Sequence, residues 1–140
     1  MVGKHEEKLE LVAKRGVRTY VLDDTRSFAL ENGRRVNIVV ECSGSAQGLD
    51  LAMRLVRPRG TIILKSTVAD KSTLHLAPIV IDEICIQGSR CGPFAPAIRA
   101  LSQKLVDIQS LISAFYPLND GLTAFQHAGQ KGVLKVLVRI

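Results

Sequence analysis

Apolar residues in this chain fall into short blocks whose spacing alternates between strand-like and helix-like periods. The clearest block runs from Val36 to Lys65, VNIVVECSGSAQGLDLAMRLVRPRGTIILK. Val36, Ile38, Val39 and Val40 make a nearly continuous β-branched run, which predicts a strand covered on both faces. The small residues of Glu41-Cys42-Ser43-Gly44 predict a tight turn at its end. Ser45 is placed to cap a helix in which Leu49, Ala52, Met53 and Val56 recur at i, i+3, i+4 and i+7. Pro58 and Gly60 stop that helix, and Thr61 to Leu64 reads as a second buried strand. Strand, helix and strand in this order predict a right-handed βαβ unit with parallel strands. Ligands of such sheets bind at the carboxyl ends of the strands, which here carry Ser43-Gly44 and Lys65-Ser66-Thr67.

The flanking pattern is weaker but readable. Met1-Val2-Gly3 has the character of a strand's last residues without its beginning. A helix follows, with Glu6 and Glu7 in its first turn and Lys14 and Arg15 in its last, each matching the sign of the helix dipole. Leu9, Val12 and Ala13 form its predicted buried face, and Gly16 its C′ position. Val17 to Leu22 reads as a short strand, and Asp23 to Arg35 as a polar connector. Beyond Lys65, residues Val68 to Thr73 read as a loop. Leu74-His75-Leu76 alternates as an exposed strand would, broken by Ala77-Pro78. Ile79 to Gln87 is β-rich, with a turn at Asp82-Glu83, and Gly88 to Pro93 is a loop. A helix with Ile98, Leu101 and Leu105 on its inner face comes next, then a strand over Ser113 to Tyr116. Pro117 to Gln130 reads as a helix starting near Asn119-Asp120 and burying Leu122, Phe125 and Ala128. Val133 to Ile140 is the last strand.

At 140 residues, 46% hydrophobic and 23% charged, the chain fits a single globular α/β domain with a real core. No apolar run reaches membrane-spanning length, and the start MVGKHEEK lacks the apolar core of a secretory signal. Three cysteines, Cys42, Cys85 and Cys91, are odd in number and have no zinc-ribbon spacing, which favours a reduced, cytoplasmic setting. The net charge of +6 invites comparison with nucleic-acid binders, but the basic residues are scattered and only 4% of residues are aromatic. A phosphate-bearing small ligand explains the charge as well, and no nucleic-acid partner is expected.

Candidate chemistry concentrates at the strand ends. Ser43-Gly44 suits close approach of a ligand to the backbone, or simply a turn. Lys65 and Ser66 end the next strand and point to the same crevice. Lys135 interrupts an apolar strand, where it reaches either a phosphate or the surface. Cys42 has no base beside it in sequence and reads as a small core residue. His5, His75 and His127 are too widely spaced for a metal site and read as surface residues. No H-E-x-x-H, C-x-x-C or G-x-S-x-G pattern occurs. Neither catalytic residues nor metal ligands are therefore assigned.

Several pieces together resemble the carboxyl-terminal part of a medium-chain dehydrogenase/reductase of the zinc-type alcohol dehydrogenase family. They are GKHEEKLELVAKRGV, VVECSGSAQGLDLAMRLVRPRGTIILKST, IQGSRCGPF, YPLNDGLTAF and KGVLKVLV, in family order along the whole chain. The resemblance implies residues 1–140 are a partial dinucleotide-binding Rossmann domain, a parallel sheet with helices on both faces and strand order 3-2-1-4-5-6. It also implies a departure. The family's first strand and G-x-G-x-x-G turn precede the opening piece, and its zinc-bearing domain comes earlier still. The sheet is then incomplete, with Met1-Val2-Gly3 as the end of strand 2, and the chain has the character of a truncation or excised fragment.

Carried over by the resemblance, Gly3, Lys4 and His5 lie where the family meets the adenosine ribose, and Lys8 matches a lysine of the following helix. Cys42, Ser43 and Gly44 match the turn beside the cofactor ribose, and Lys65 and Ser66 the strand end near the nicotinamide. Lys135 matches a basic residue that approaches the pyrophosphate, and Gly88-Ser89-Arg90 a loop near the cofactor and subunit contacts. NAD-specific sites carry an acid at the end of strand 2, where this chain has Gly3 followed by Lys4 and His5. NADP is thus favoured over NAD as the cofactor. Zinc belongs to the parent family but has no ligands here, a homo-oligomer is expected, and the chain alone is expected to be inactive. Two other readings stay open: a methyltransferase-like domain using S-adenosylmethionine, suggested by RPRGTIIL after a helix, and a non-catalytic oligomerisation remnant.

Overall fold

The computed structural model describes residues 1–22, 36–68 and 73–140. Its strands and α-helices, in chain order, are β1 (Val2–Gly3), α1 (Glu6–Ala13), β2 (Tyr20–Val21), β3 (Val36–Glu41), α2 (Ala46–Leu55) and β4 (Val56–Leu64). They continue with α3 (Ala77–Ile81), β5 (Cys85–Gly88), α4 (Phe94–Ser102), β6 (Ile112–Pro117), α5 (Gly121–Ala128) and β7 (Lys135–Arg139). Among the described residues every strand pairing is parallel, β1 with β2, β3 with β4 with β5, and β6 with β7. Parallel strands alternating with helices make this an α/β, Rossmann-like chain with an incomplete sheet. No helix among these residues is long and apolar enough to cross a membrane. The chain separates into two compact units, Asp24–Cys91 and Met1–Asp23 with Gly92–Ile140. The predicted connector over Asp23 to Arg35, and residues 69–72 of the loop predicted from Val68, lie outside the described residues.

The unit Asp24–Cys91 is built on the predicted βαβ segment. Ala52, Val56, Ile62 and Ile84 form its buried cluster, with Val39, Leu49, Met53, Ile79 and Ile86 packed against it. Val56 and Ile62 are fully buried, and each such side chain stabilises the fold by roughly 1.5–3 kcal/mol. The predicted apolar face of the helix is therefore the one that packs. The helix stops earlier than Pro58, because Val56 already adopts extended backbone and opens β4. The ladder shifts register there: Val36 pairs with Val56, but Ile38 pairs with Thr61. Residues 57–60 form the resulting bulge, where Arg57 Nε donates to Asn37 Oδ1 (2.6 Å) and the Arg59 amide to the Asp82 carbonyl (2.7 Å).

Two expectations fail in this unit. The strand β3 is not covered on both faces, since Ile38 and Val40 are 62% and 54% exposed. Leu74-His75-Leu76 is not a strand; it leads into α3, with Pro78 in the first turn, where a missing N–H costs nothing. The β-branched run Ile79-Val80-Ile81 is accordingly helical because Ile79 has core to pack on, so tertiary contact overrides local propensity.

In the other unit, α1 ends in a Schellman motif. The Gly16 amide donates to the Ala13 carbonyl and the Val17 amide to the Val12 carbonyl, with Gly16 at φ +77°. Leu9 is buried as predicted, whereas Ala13 is exposed. The strand predicted over Val17 to Leu22 shrinks to Tyr20 and Val21. Ile98, Leu101 and Leu105 do not form an inner face: all three are exposed, and Leu105 lies beyond the end of α4. In α5 the buried residue is Ala124, while Leu122, Phe125 and Ala128 face outwards. Apolar spacing locates a stripe, but burial needs a surface to receive it, and among the described residues α5 packs mainly on the two strands β6 and β7. His127, predicted at the surface, is half-buried, and its Nδ1 lies 2.9 Å from the Tyr116 hydroxyl.

Candidate functional site

The carboxyl ends of β3 and β4 meet through a compact polar network. Backbone pairing brings them together, since the Lys65 amide donates to the Glu41 carbonyl at 2.8 Å. The turn after β3 then closes on the end of β4, with the Gly44 amide donating to Ser66 Oγ at 2.8 Å. Gly44 sits at φ +69°, a conformation strained for any side chain, and nothing lies within 4 Å of where its Cβ would be. Its backbone is therefore open to a ligand. Ser45 takes the N-cap position of α2, but its hydroxyl does not cap the helix. It lies 3.1 Å from the Ser43 hydroxyl, which also accepts from the Ser45 amide at 3.1 Å.

At the centre of the network is Glu41, which the sequence reading did not select. It is 5% exposed and accepts a hydrogen bond from the Ser43 amide at 2.8 Å. A Cβ added to Gly48 in α2 would collide with Glu41 Oε1 and Ser43 Oγ, so any other residue there would displace these side chains. Burial pushes the Glu41 carboxyl up, but hydrogen bonds from Ser43 and Ser66 outweigh that and hold it below the ordinary glutamate value. An anion thus already occupies the amino end of α2, where it suits the helix dipole. The exposed hydroxyls and open backbone around it suit a sugar's hydroxyl groups better than a phosphate. A signal was present in the sequence, because Glu41 has the strand parity of Val39, which packs on the core.

The residues selected from sequence divide between the two units. Cys42, Ser43, Gly44, Lys65 and Ser66 all belong to Asp24–Cys91. Lys65 Nζ lies 3.2–3.5 Å from the carbonyls of Ser89 and Arg90 and the Ser89 hydroxyl, fastening the loop after β5 to the end of β4. Cys42 is exposed, not a core residue, because it leaves β3 at the turn. In the other unit Gly3 ends β1, exposed Lys4 follows, half-buried His5 is the N-cap residue of α1, and Lys8 lies within α1. A Cβ on Gly3 would come within 2.9 Å of the buried Leu9 side chain, so packing also explains this glycine. Lys135 opens β7 and is exposed, so it bears no burial cost. Among the described residues no three His, Cys, Asp or Glu side chains stand together as a metal site requires. An open depression lined by Asp50, Met53, Arg54, Leu74, His75 and Pro78 contains none of the selected residues.

This geometry agrees with what the chain is similar to. Residues 1–107 match the sequence profile of the zinc-binding dehydrogenases, and the chain belongs to that family. Sorbitol dehydrogenases of Macaca fascicularis and Mus musculus are each 27% identical over 110 residues, covering 76% of this chain and 30% of theirs. The chain thus spans under a third of these relatives' length. Among solved structures, L-idonate 5-dehydrogenase of Escherichia coli superposes with a TM-score of 0.85 at 23% identity, over 99% of this chain and 42% of that one. An alcohol dehydrogenase of E. coli CFT073 in complex with NADH gives 0.85 at 22% identity, covering 99% and 43%. A protein described as a zinc-binding dehydrogenase, from Sinorhizobium meliloti 1021 and bound to NADP, gives 0.83 at 22%, covering 99% and 44%. The family match favours the dehydrogenase reading over the methyltransferase one.

Proposed function

We propose that the chain is the nucleotide-binding portion of a zinc-type, NAD(P)-dependent alcohol dehydrogenase, binding the dinucleotide but not turning over alone. The observation that carries this reading is the open Gly44 backbone, flanked by the Ser43 and Ser45 hydroxyls and tied to Ser66 at the carboxyl end of a parallel sheet. In this reading Ser43, Gly44 and Cys42 border a cofactor ribose, and Lys65 and Ser66 the nicotinamide side. Support comes from relatives solved with NADH and with NADP. Gly3 offers no carboxylate to a ribose 2′-hydroxyl, and Lys4 and His5 offer positive or polarisable groups to a 2′-phosphate, so NADP(H) is the preferred cofactor. Lys8 and Lys135 add positive charge for the phosphates. Residues 1–140 act as a partial dinucleotide-binding domain in a cytoplasmic, self-associating protein.

The zinc that the family name implies has no fitting ligand group among the described residues, so the chain's own groups supply binding and orientation only. Glu41 is a poor proton donor at the turn, because hydrogen bonds from Ser43 and Ser66 hold its carboxyl below the ordinary glutamate value. Binding of NADP+ and NAD+ to the purified chain, followed by saturation-transfer NMR, tests the reading. Weak binding with NADP+ ahead is expected, and a clear lead for NAD+ would overturn the preference. Binding of S-adenosylmethionine and of neither dinucleotide would overturn the dehydrogenase reading. A panel of alcohols and aldehydes, with and without zinc, should give no turnover from this chain, and sustained turnover would contradict its role as a binding portion.

A further inference from the structure

Resting on the dinucleotide reading above, we infer that Glu41 is a positioning residue, holding the turn at Ser43-Gly44 in the one geometry that presents its backbone and hydroxyls to the cofactor ribose. Three features of the structure carry this. First, the carboxylate is nearly sealed from solvent at the last residue of β3, where a charge is costly unless it is fully hydrogen-bonded. Second, its partners are the turn itself and the end of β4: Ser43 donates its amide at 2.8 Å, and Ser66, which also bonds Glu41, accepts from the Gly44 amide at 2.8 Å. One carboxylate thus links both ends of the ribose-facing segment. Third, α2 runs close against it, because a methyl group at Gly48 would collide with Glu41 Oε1 and Ser43 Oγ where they now stand.

Glu41 does not itself face the ligand. Its carboxylate is buried and accepts from the Ser43 amide, and the exposed groups of the network are Ser43 and Gly44. Loss of the carboxylate leaves a turn of small residues with a free φ at Gly44, and that turn samples many conformations of which few present the same surface. Cofactor affinity then falls by the fraction of time the competent turn is populated.

The test compares the wild-type chain with Glu41→Gln, which keeps an acceptor, Glu41→Met, which removes it at similar size, and Gly48→Ala, which displaces the carboxylate without changing its charge. Amide hydrogen exchange is read at Ser43 and Gly44, with Ile62 in the β3–β4 ladder as reference, and NADP+ affinity by NMR titration. Glu41→Met should speed exchange at the two turn amides by about tenfold, leave Ile62 unchanged, and weaken NADP+ by a similar factor. Gln should restore most of both losses, and Gly48→Ala should reproduce them. If Glu41→Met does not fold, the full losses in Gly48→Ala and the small residual ones in Gln carry the test. Unchanged exchange at Ser43 and Gly44 overturns the positioning role, as does faster exchange with unchanged affinity. A wild-type chain that binds no dinucleotide at all overturns the cofactor reading itself, and with it this inference.

Discussion

The two compact units contain the same kinds of element but bury very different amounts of them. In Asp24–Cys91 a three-stranded parallel sheet and α2 enclose Ala52, Leu55, Val56, Ile62 and Ile84, and a carboxylate is buried with its partners satisfied. In Met1–Asp23 with Gly92–Ile140 the sheets are two-stranded, and only Leu9 and Ala124 are buried among the described residues. Helices α4 and α5 also carry apolar stripes, yet Phe94, Leu122 and Phe125 lie open. Amphipathic spacing states what a helix can bury. The opposing surface decides whether it does. The βαβ unit supplies that surface from its own sequence.

The contrast predicts where substitutions hurt. Ile62→Ala empties the centre of the better-packed unit and should cost about 2–5 kcal/mol. Thermal or urea unfolding measures this, and a loss near zero would show that the unit lacks the core described here. Acid should act next and unevenly. The Glu41 carboxyl is lowered in the fold, so the unfolded chain binds more protons and stability must fall as pH drops. The contribution is fully present above the ordinary glutamate range and is lost as pH falls through it towards the folded value. Relative to the intrinsic exchange rate at each pH, protection at Ser43 and Gly44 should therefore fall on acidification in the wild type but not in Glu41→Gln. An identical acid response in the two proteins would remove Glu41 from the account. Smallest of all, Phe125→Ser should change stability by less than about 0.5 kcal/mol, because that ring is 80% exposed. A larger loss would mean that α5 is packed in solution against a surface such as a second copy of the chain.

The same difference governs what the sequence made legible. The strand–helix–strand order of Val36 to Leu64 could be read, because β-branched blocks, a Ser-Gly turn and a 3.6-residue stripe all agree on it, although β4 opens at Val56 and not at Thr61. Leu74 to Ile81 misled because alternation and β-branching favour a strand locally, while Pro78 and the contact made by Ile79 favour a helical turn. The outward faces of α4 and α5 were not readable, since their spacing is that of buried helices. Ser43, Gly44 and Ser66 do lie together at the strand ends, as the turn and strand pattern implies. Glu41 was passed over because a carboxylate beside a polar turn reads as solvated, although its strand parity with Val39 pointed inward and the structure encloses it against Gly48.

Titrating the isotopically labelled chain with NADP+ and following its amide spectrum tests the central claim most directly. The account predicts progressive shifts at Ser43, Gly44 and Ser66, with Lys4 and His5 responding to NADP+ more than to NAD+, while Ile62 and Val56 in the core stay fixed. A spectrum unmoved at Ser43, Gly44 and Ser66 at saturating NADP+, or one moved only around Asp50, Arg54 and His75, would contradict it.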